Sequence, residues 1–380
     1  MAAIKEHTVL VLQGGGALGA YQAGAYQALA ASGLEPDWVA GISIGAINAA
    51  LICGNRPKDR LAALQGFWDR VTSRLCVTPW LAGPLGRAIY GEAAAATVMA
   101  TGVPGFFKPR LPTAFLPDAF LPMSQHTAVS VYDTAPLRDT LLEFVDFDYL
   151  NLTGPRLSVG AVDVETANFI YFDSAKTQIT PEHIMASGAL PPGFAPVQID
   201  GHFYWDGGLV SNTPLQFVMD NLGTEPTLIF QIDLFSARDT MPAAMADVAQ
   251  RQKDIQYSSR TRLTTDRYRQ LHDIRMAANR LAAALPQDLR DNPDLRALQA
   301  TGPDCPITLV ELIHRKQSFE GSAKDYEFSR LSMTQHWQEG QQDVDRTLNH
   351  KDWTARIAGQ DGLQLFDLGA PETPTKGKSK

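Results

Sequence analysis

Residues 7 to 12, HTVLVL, form an unbroken β-branched and leucine run that stops at three glycines. Apolar residues at consecutive rather than alternate positions predict a strand buried on both faces, as in a parallel sheet. After the glycines, GAYQAGAYQALAASG spaces alanines, tyrosines and Leu29 helically and stops at Gly33, which predicts a helix. DWVAGI is a second short apolar run, and SIGAINAALICG a second helix closed by Gly54. Strand, loop, helix, strand, tight turn and helix imply an α/β fold, a parallel sheet flanked by helices.

Further along, RLSVGAVDVETANFIYF predicts two short strands turning near Glu165, and HFYWDGGLVSNTPL a strand broken at a glycine pair. TLIFQIDLF (227–235) and PITLVELIH (306–314) add two runs of strand length. Residues 240–285 between them read as helical and carry Arg251, Arg260, Arg262, Arg267, Arg269, Arg275 and Arg280. An ion-paired, solvated face accounts for these more simply than contact with an anionic surface. Residues 79–122 hold seven prolines and five charged residues, which predicts an irregular apolar insertion, either a loop over the core or a lid or lipid-touching patch. The chain therefore divides into a domain over 7–220, a mostly helical C-terminal extension over 225–365, and a disordered polar tail over 366–380.

Composition narrows the function classes without choosing among them. The chain has 380 residues, 44% hydrophobic and 19% charged, which excludes a disordered or fibrous protein. A net charge of -8 argues against general nucleic-acid binding. Cys53, Cys76 and Cys305 are widely spaced and lack any C-x-x-C pattern, as expected of buried or free thiols in a reducing compartment with no zinc site. The first apolar run is too short for a signal peptide, and no run of about 18 apolar residues occurs. The expectation is a cytoplasmic protein, peripheral to the inner membrane face if it meets lipid; oligomeric state is left open.

Gly14, Gly16 and Gly19 match G-x-G-x-x-G, which invites a dinucleotide-binding reading. That fold also needs an acidic residue at the end of the second strand, about 20 positions on. Glu35 and Asp37 precede that strand instead, and its carboxyl end carries Gly41-Ile42-Ser43-Ile44-Gly45. No Lys-Ser or Lys-Thr follows the glycines, so a P-loop is excluded. G-x-S-x-G between a strand and a helix thrusts its serine above the sheet, with Gly41 and Gly45 relieving the crowding of the turn. Gly14, Gly15 and Gly16 then offer bare backbone N–H groups to an oxyanion, each such donor worth about 3 to 4 kcal/mol of barrier.

A serine hydroxyl needs a base. Asp206, which Gly207 and Gly208 free to point across the sheet, is one candidate, with an ordinary Asp-Gly turn as the plain alternative. His314, last in the chain as in a Ser-His-Asp triad, is the other, with a structural strand-end histidine as the plain alternative. A binding or scaffolding protein with a relict site is the rival from outside enzymes.

QGGGALG, GISIGA and DGG, in this order and at these distances, resemble the patatin-like phospholipases over about residues 7–220. ASGALPPGFAPVQIDGHFYWDGGLVSNTPL resembles the corresponding stretch of bacterial members. The resemblance implies a core similar to the lysophospholipase and acyl-carrier transacylase fold, and a Ser-Asp dyad acting without histidine on lipid carboxylic esters. Carried over, Ser43 becomes the nucleophile, Asp206 the proton acceptor and Gly14 to Gly16 the oxyanion-hole segment, with no metal or organic cofactor. Two positions depart from the family pattern: Leu18 stands where many members have a basic residue, and Gln13 where plant members have Asp. Neither removes a backbone donor, but both alter how the loop is braced. Residues 225–365 resemble an extension of unknown function in a bacterial subgroup.

Overall fold

A computed structural model describes residues 5–76, 83–110, 129–317, 320–321 and 323–368. Strand β1 (His7–Leu12) leads through the glycine loop to helix α1 (Ala20–Ala31), and β2 (Trp38–Gly41) leads to α2 (Ile44–Cys53) and α3 (Pro57–Val71). Then come α4 (Gly83–Thr101), the small antiparallel pair β3 (Lys108–Pro109) and β4 (Tyr132–Asp133), α5 (Ala135–Phe144) and α6 (Phe147–Leu152). β5 (Arg156–Asp163), β6 (Phe169–Asp173), α7 (Pro181–Ser187), β7 (Val197–Ile199), β8 (His202–Asp206), α8 (Leu215–Asp220) and β9 (Thr227–Asp233) follow. The remainder comprises α9 (Met245–Tyr257), α10 (Thr261–Ala284), α11 (Gln287–Arg290), α12 (Pro293–Gln299), β10 (Ile307–Ile313), α13 (Arg330–Leu348), α14 (Lys351–Thr354) and β11 (Leu363–Phe366).

The main sheet runs in the order β11-β10-β9-β1-β2-β5-β8-β7, with β6 also paired to β5. It is parallel from β11 through β5 and antiparallel where β5 meets β6 and β8 and where β8 meets β7. β1 is paired at both edges, with β2 and β9, and helices cover both its faces, which is why it is apolar at successive positions. Leu10 and Leu12 face the larger core with Tyr21 and Tyr26 of α1, Ile47 of α2 and Phe67 and Trp68 of α3. Val9 and Val11 face the opposite core with Leu215, Val218 and Met219 of α8 and Tyr268 of α10. Each such buried side chain is worth about 1.5 to 3 kcal/mol.

β9, β10 and β11 all come from beyond residue 220 and continue the same sheet. Helix α13 also returns to the N-terminal half and packs on α1. A Cβ on Gly24 would sit 1.9 Å from the Trp337 carbonyl oxygen, and one on Gly340 2.0 Å from that of Tyr21, so the two backbones touch where both side chains are absent. The Tyr21 hydroxyl donates to Asp343 Oδ2 at 2.6 Å across this seam.

Two expectations need correction or restriction. The insertion expected to be irregular contains α4, a helix of 19 residues. Pro84 falls in its first turn, where proline is tolerated, and the alanines at 93–96 have high helix propensity. Residues 79–82 and 111–122 of the insertion, and 369–380 of the tail, lie outside the described residues. In the arginine-rich stretch, Arg262 and Arg269 both pair with Asp266, at 3.7 and 3.4 Å, on an exposed face, whereas Arg275 is buried and pairs with Asp304 at 2.8 Å. No described helix is long and apolar enough to cross a membrane.

Candidate active site

Between β2 and α2 the chain reverses over two residues. Ser43 has φ 55° and ψ −121°, a conformation that side-chain-bearing residues avoid. Its surroundings hold it there: the Ser43 N–H donates to Ser187 Oγ at 3.0 Å, and its carbonyl accepts from Ala46 and Ile47 at 2.9 and 3.1 Å. The turn closes so tightly that a Cβ on Gly41 would lie 2.3 Å from the Gly45 oxygen, and one on Gly45 2.3 Å from that of Leu12. Local sequence thus aims the serine: the turn itself excludes a side chain at Gly41, and the end of β1 excludes one at Gly45.

Asp206 ends β8, 3% exposed, and its Oδ1 accepts the Gly208 N–H at 2.7 Å. Gly207 passes over β5, where a Cβ would lie 2.7 Å from the Gly160 oxygen. The Ser43 hydroxyl also interacts with the carboxylate, and it and the Gly208 N–H both favour its charged form. Burial opposes them and prevails, because no cation is among its partners. The Asp206 carboxyl is pushed up to about 7.

The glycine loop follows β1 and opens the short helical turn Gly16–Gly19. Its three backbone N–H groups are not equivalent. That of Gly14 donates to the Asn212 carbonyl at 3.2 Å, while those of Gly15 and Gly16 have no acceptor among the described residues. Gly19 serves packing, since a Cβ there would meet Ile44 Cγ1 at 2.5 Å.

Two amides brace this loop. Asn212 Nδ2 donates to the Gly14 and Tyr257 carbonyls at 2.9 and 3.0 Å. Gln13 Nε2 donates to Thr213 Oγ1 at 2.8 Å and the Tyr257 carbonyl at 3.0 Å, while its Oε1 accepts from the Leu234 and Phe235 N–H groups at 2.6 and 2.8 Å. An aspartate could accept there but not donate, so glutamine is the side chain that satisfies all four partners. Leu18, the other departure, is fully buried in the core.

Ser43, Asp206 and Gly14 to Gly16 line one pocket with Phe106, Phe107, Phe194, Phe235, Tyr257, Tyr326 and Phe328. Sequence reading missed Asn212, Ser187 and this aromatic wall. Asn212 stands six residues after Asp206 in the stretch already singled out, but the aromatics come from five separate segments and nothing local groups them.

His314 does not line this pocket. Its side chain is 1% exposed, with Nε2 3.3 Å from Glu320 Oε2 and Nδ1 3.4 Å from Glu339 Oε2. The two carboxylates raise its pKa to about 9 against the effect of burial.

Residues 10–219 match a family described as Patatin-like phospholipase, and residues 255–360 match a second described as Patatin phospholipase. Neuropathy target esterase sws of Drosophila melanogaster is 27% identical over 232 residues, covering 61% of this chain and 13% of that protein. The chain thus spans a small part of that relative. The crystal structure of VipD from Legionella pneumophila is similar with a TM-score of 0.37 and 16% identity, covering 88% of this chain and 67% of that one. For the type III effector protein ExoU of Pseudomonas aeruginosa the TM-score is 0.29 and the identity 14%, covering 88% and 53%.

Proposed function

Because the chain belongs to the patatin-like phospholipase family, we propose that it is a lipid acyl hydrolase that cleaves carboxylic esters through Ser43 and Asp206. One observation carries the proposal: a serine on a strained strand-to-helix turn lines the same pocket as a buried carboxyl whose pKa stands near neutrality. A carboxylate of ordinary acidity would be a poor base for a hydroxyl, and burial brings Asp206 close to the range where general-base catalysis works best.

In the reaction, Ser43 Oγ attacks the ester carbonyl carbon as its proton passes to Asp206. The carbonyl oxygen gains negative charge and is met by N–H groups of the Gly14–Gly16 segment, with Gly15 and Gly16 supplying donors not already used among the described residues. Collapse breaks the ester C–O bond, and Asp206 returns the proton to the departing alcohol. Water then attacks the acyl-enzyme, Asp206 takes its proton, and Ser43 regains one as the fatty acid leaves.

The aromatic wall suits an acyl chain, since it offers apolar surface and few polar groups. Leu209 and Val210, 40% and 49% exposed and directly after the Asp206 turn, place apolar side chains beside the site. They support a peripheral docking of the pocket mouth on a lipid surface.

Labelling by a fluorophosphonate probe tests the proposal. Wild-type protein is expected to label and Ser43→Ala not to label. Folded wild-type protein that neither labels nor hydrolyses any of a set of phospholipid, lysophospholipid and glyceride esters would overturn it in favour of a binding protein.

A further inference from the structure

The C-terminal half holds a second buried cluster that ester hydrolysis does not use. His314 follows β10, His336 and Glu339 lie three residues apart on α13, and Glu320 lies on the segment between. We propose that His314, His336 and Glu339 bind a divalent transition-metal ion of the zinc type, with Glu320 as the carboxylate that orients both imidazoles.

One ligand atom from each of His314, His336 and Glu339 lies within 4.8 Å of the other two. Both histidines are buried, 1% and 4% exposed. Both Nδ1 atoms and His314 Nε2 are buried without a hydrogen bond, and the approaches of Glu339 to His314 Nδ1 at 3.4 Å and of Glu320 to its Nε2 at 3.3 Å are ion-pair contacts without hydrogen-bond geometry.

Glu320 meets the far side of each ring, 2.8 Å from His336 Nε2 and 3.3 Å from His314 Nε2. At His336 that is the outer-shell arrangement expected of metal-bound imidazole, where a carboxylate takes one N–H and leaves the other nitrogen as ligand; at His314 the carboxylate is in ion-pair contact only. Gln317 Nε2 likewise donates to Glu339 Oε1 at 3.0 Å, orienting the third ligand. Two imidazoles and one carboxylate suit zinc and its neighbours, whereas magnesium and calcium prefer oxygen alone.

The site would tie α13 to the segment after β10. A few residues further on, that segment supplies Asp325, Tyr326 and Phe328 to the wall of the Ser43 pocket. The ion would therefore hold the wall in place from outside the pocket, without touching substrate. This last consequence rests on the hydrolase reading, whereas metal binding does not.

The test begins with wild-type protein purified without a histidine tag and dialysed against metal-free buffer. Elemental analysis is expected to find about one zinc, or another first-row divalent ion, per chain. Treatment with a chelator should lower the melting temperature, and ZnCl2 but not MgCl2 or CaCl2 should restore it. Glu339→Gln and His336→Gln should abolish the zinc-dependent rise, and Glu320→Gln should weaken zinc affinity about 10- to 100-fold. Wild-type protein that holds no stoichiometric metal and melts at the same temperature with chelator or with zinc would overturn the proposal, leaving a buried ion-pair network. Loss of ester hydrolysis on chelation with no change in metal content or melting would also count against the site, and failure to hydrolyse esters at all would leave its metal chemistry intact.

Discussion

Asp206 and Glu320 are both carboxylates taken almost wholly out of water, and their acidities move in opposite directions. Asp206 faces only neutral donors, the Gly208 N–H and the Ser43 hydroxyl, and its pKa climbs to about 7. Glu320, its side chain 6% exposed, lies between the His314 and His336 rings, and their positive charge holds it well below the ordinary carboxylate range. Burial decides how much is at stake, and the charge of the partner decides the sign. A carboxylate that must accept a proton near neutrality is buried without a cation. One that must stay ionised and orient its neighbours is buried with two rings that can carry positive charge.

The strongest way to break this comparison is at the nucleophile. Ser43→Ala should reduce ester hydrolysis on the order of 10⁴- to 10⁶-fold while the melting temperature holds or rises, because the strained residue contributes little to folding. Asp206→Asn should reduce turnover on the order of 10⁴-fold, and activity within tenfold of the parent would remove Asp206 from the role of proton acceptor.

The same substitution reports on stability. Because the folded pKa of Asp206 is raised above its ordinary 3.8, ionisation destabilises the fold progressively from about pH 4 to about 7. The melting-temperature advantage of Asp206→Asn should therefore grow over that interval and level off above it.

Glu320 should behave in the opposite sense. Its pKa is lowered from 4.5, so its contribution is present above that pH and lost as pH falls; that of His314 is raised from 6.5 to about 9, so its contribution is full below 6.5 and lost as pH rises through 9. Denaturant unfolding of chelator-treated, metal-free Glu320→Gln, measured against metal-free parent protein, should show a loss of about 3 kcal/mol, largest between about pH 4.5 and 6.5 and smaller toward pH 9. A loss that grows with alkaline pH would contradict the assigned partners.

The smallest effect expected is the acid limb of the wild-type rate. Because Asp206 must be ionised to accept a proton, kcat/KM should fall about tenfold from pH 8 to pH 6, with a midpoint near 7. A midpoint near 4 would mean that the carboxylate is solvated in the working enzyme.

Much of the site was legible in the sequence because its chemistry is local. A strand that ends in G-x-S-x-G and runs into a helix forces its serine outward, whatever lies beyond. The Gly41 and Gly45 contacts show why both flanking positions lack a side chain. α4 was hidden for the converse reason: prolines at the edges of residues 79–122 outweighed a short alanine run in a reading that saw only composition. His314 shows the limit of reading a residue by its position, since a histidine ending a late strand looks like a triad member until its neighbours are known.

By itself the sequence determined the βα order of the first 54 residues, the strained serine turn and the glycine run, because each depends on backbone conformations that neighbouring residues dictate. Only the tertiary structure decided that β9 and β10 continue the sheet beside β1, that α13 seats on α1 through Gly24 and Gly340, and that Gln13 braces the loop with all its amide capacity. It alone also decided which buried carboxyl is basic and which is acidic. Those outcomes depend on contacts between residues hundreds of positions apart, and a pKa depends on every charge and every water that such contacts admit or exclude.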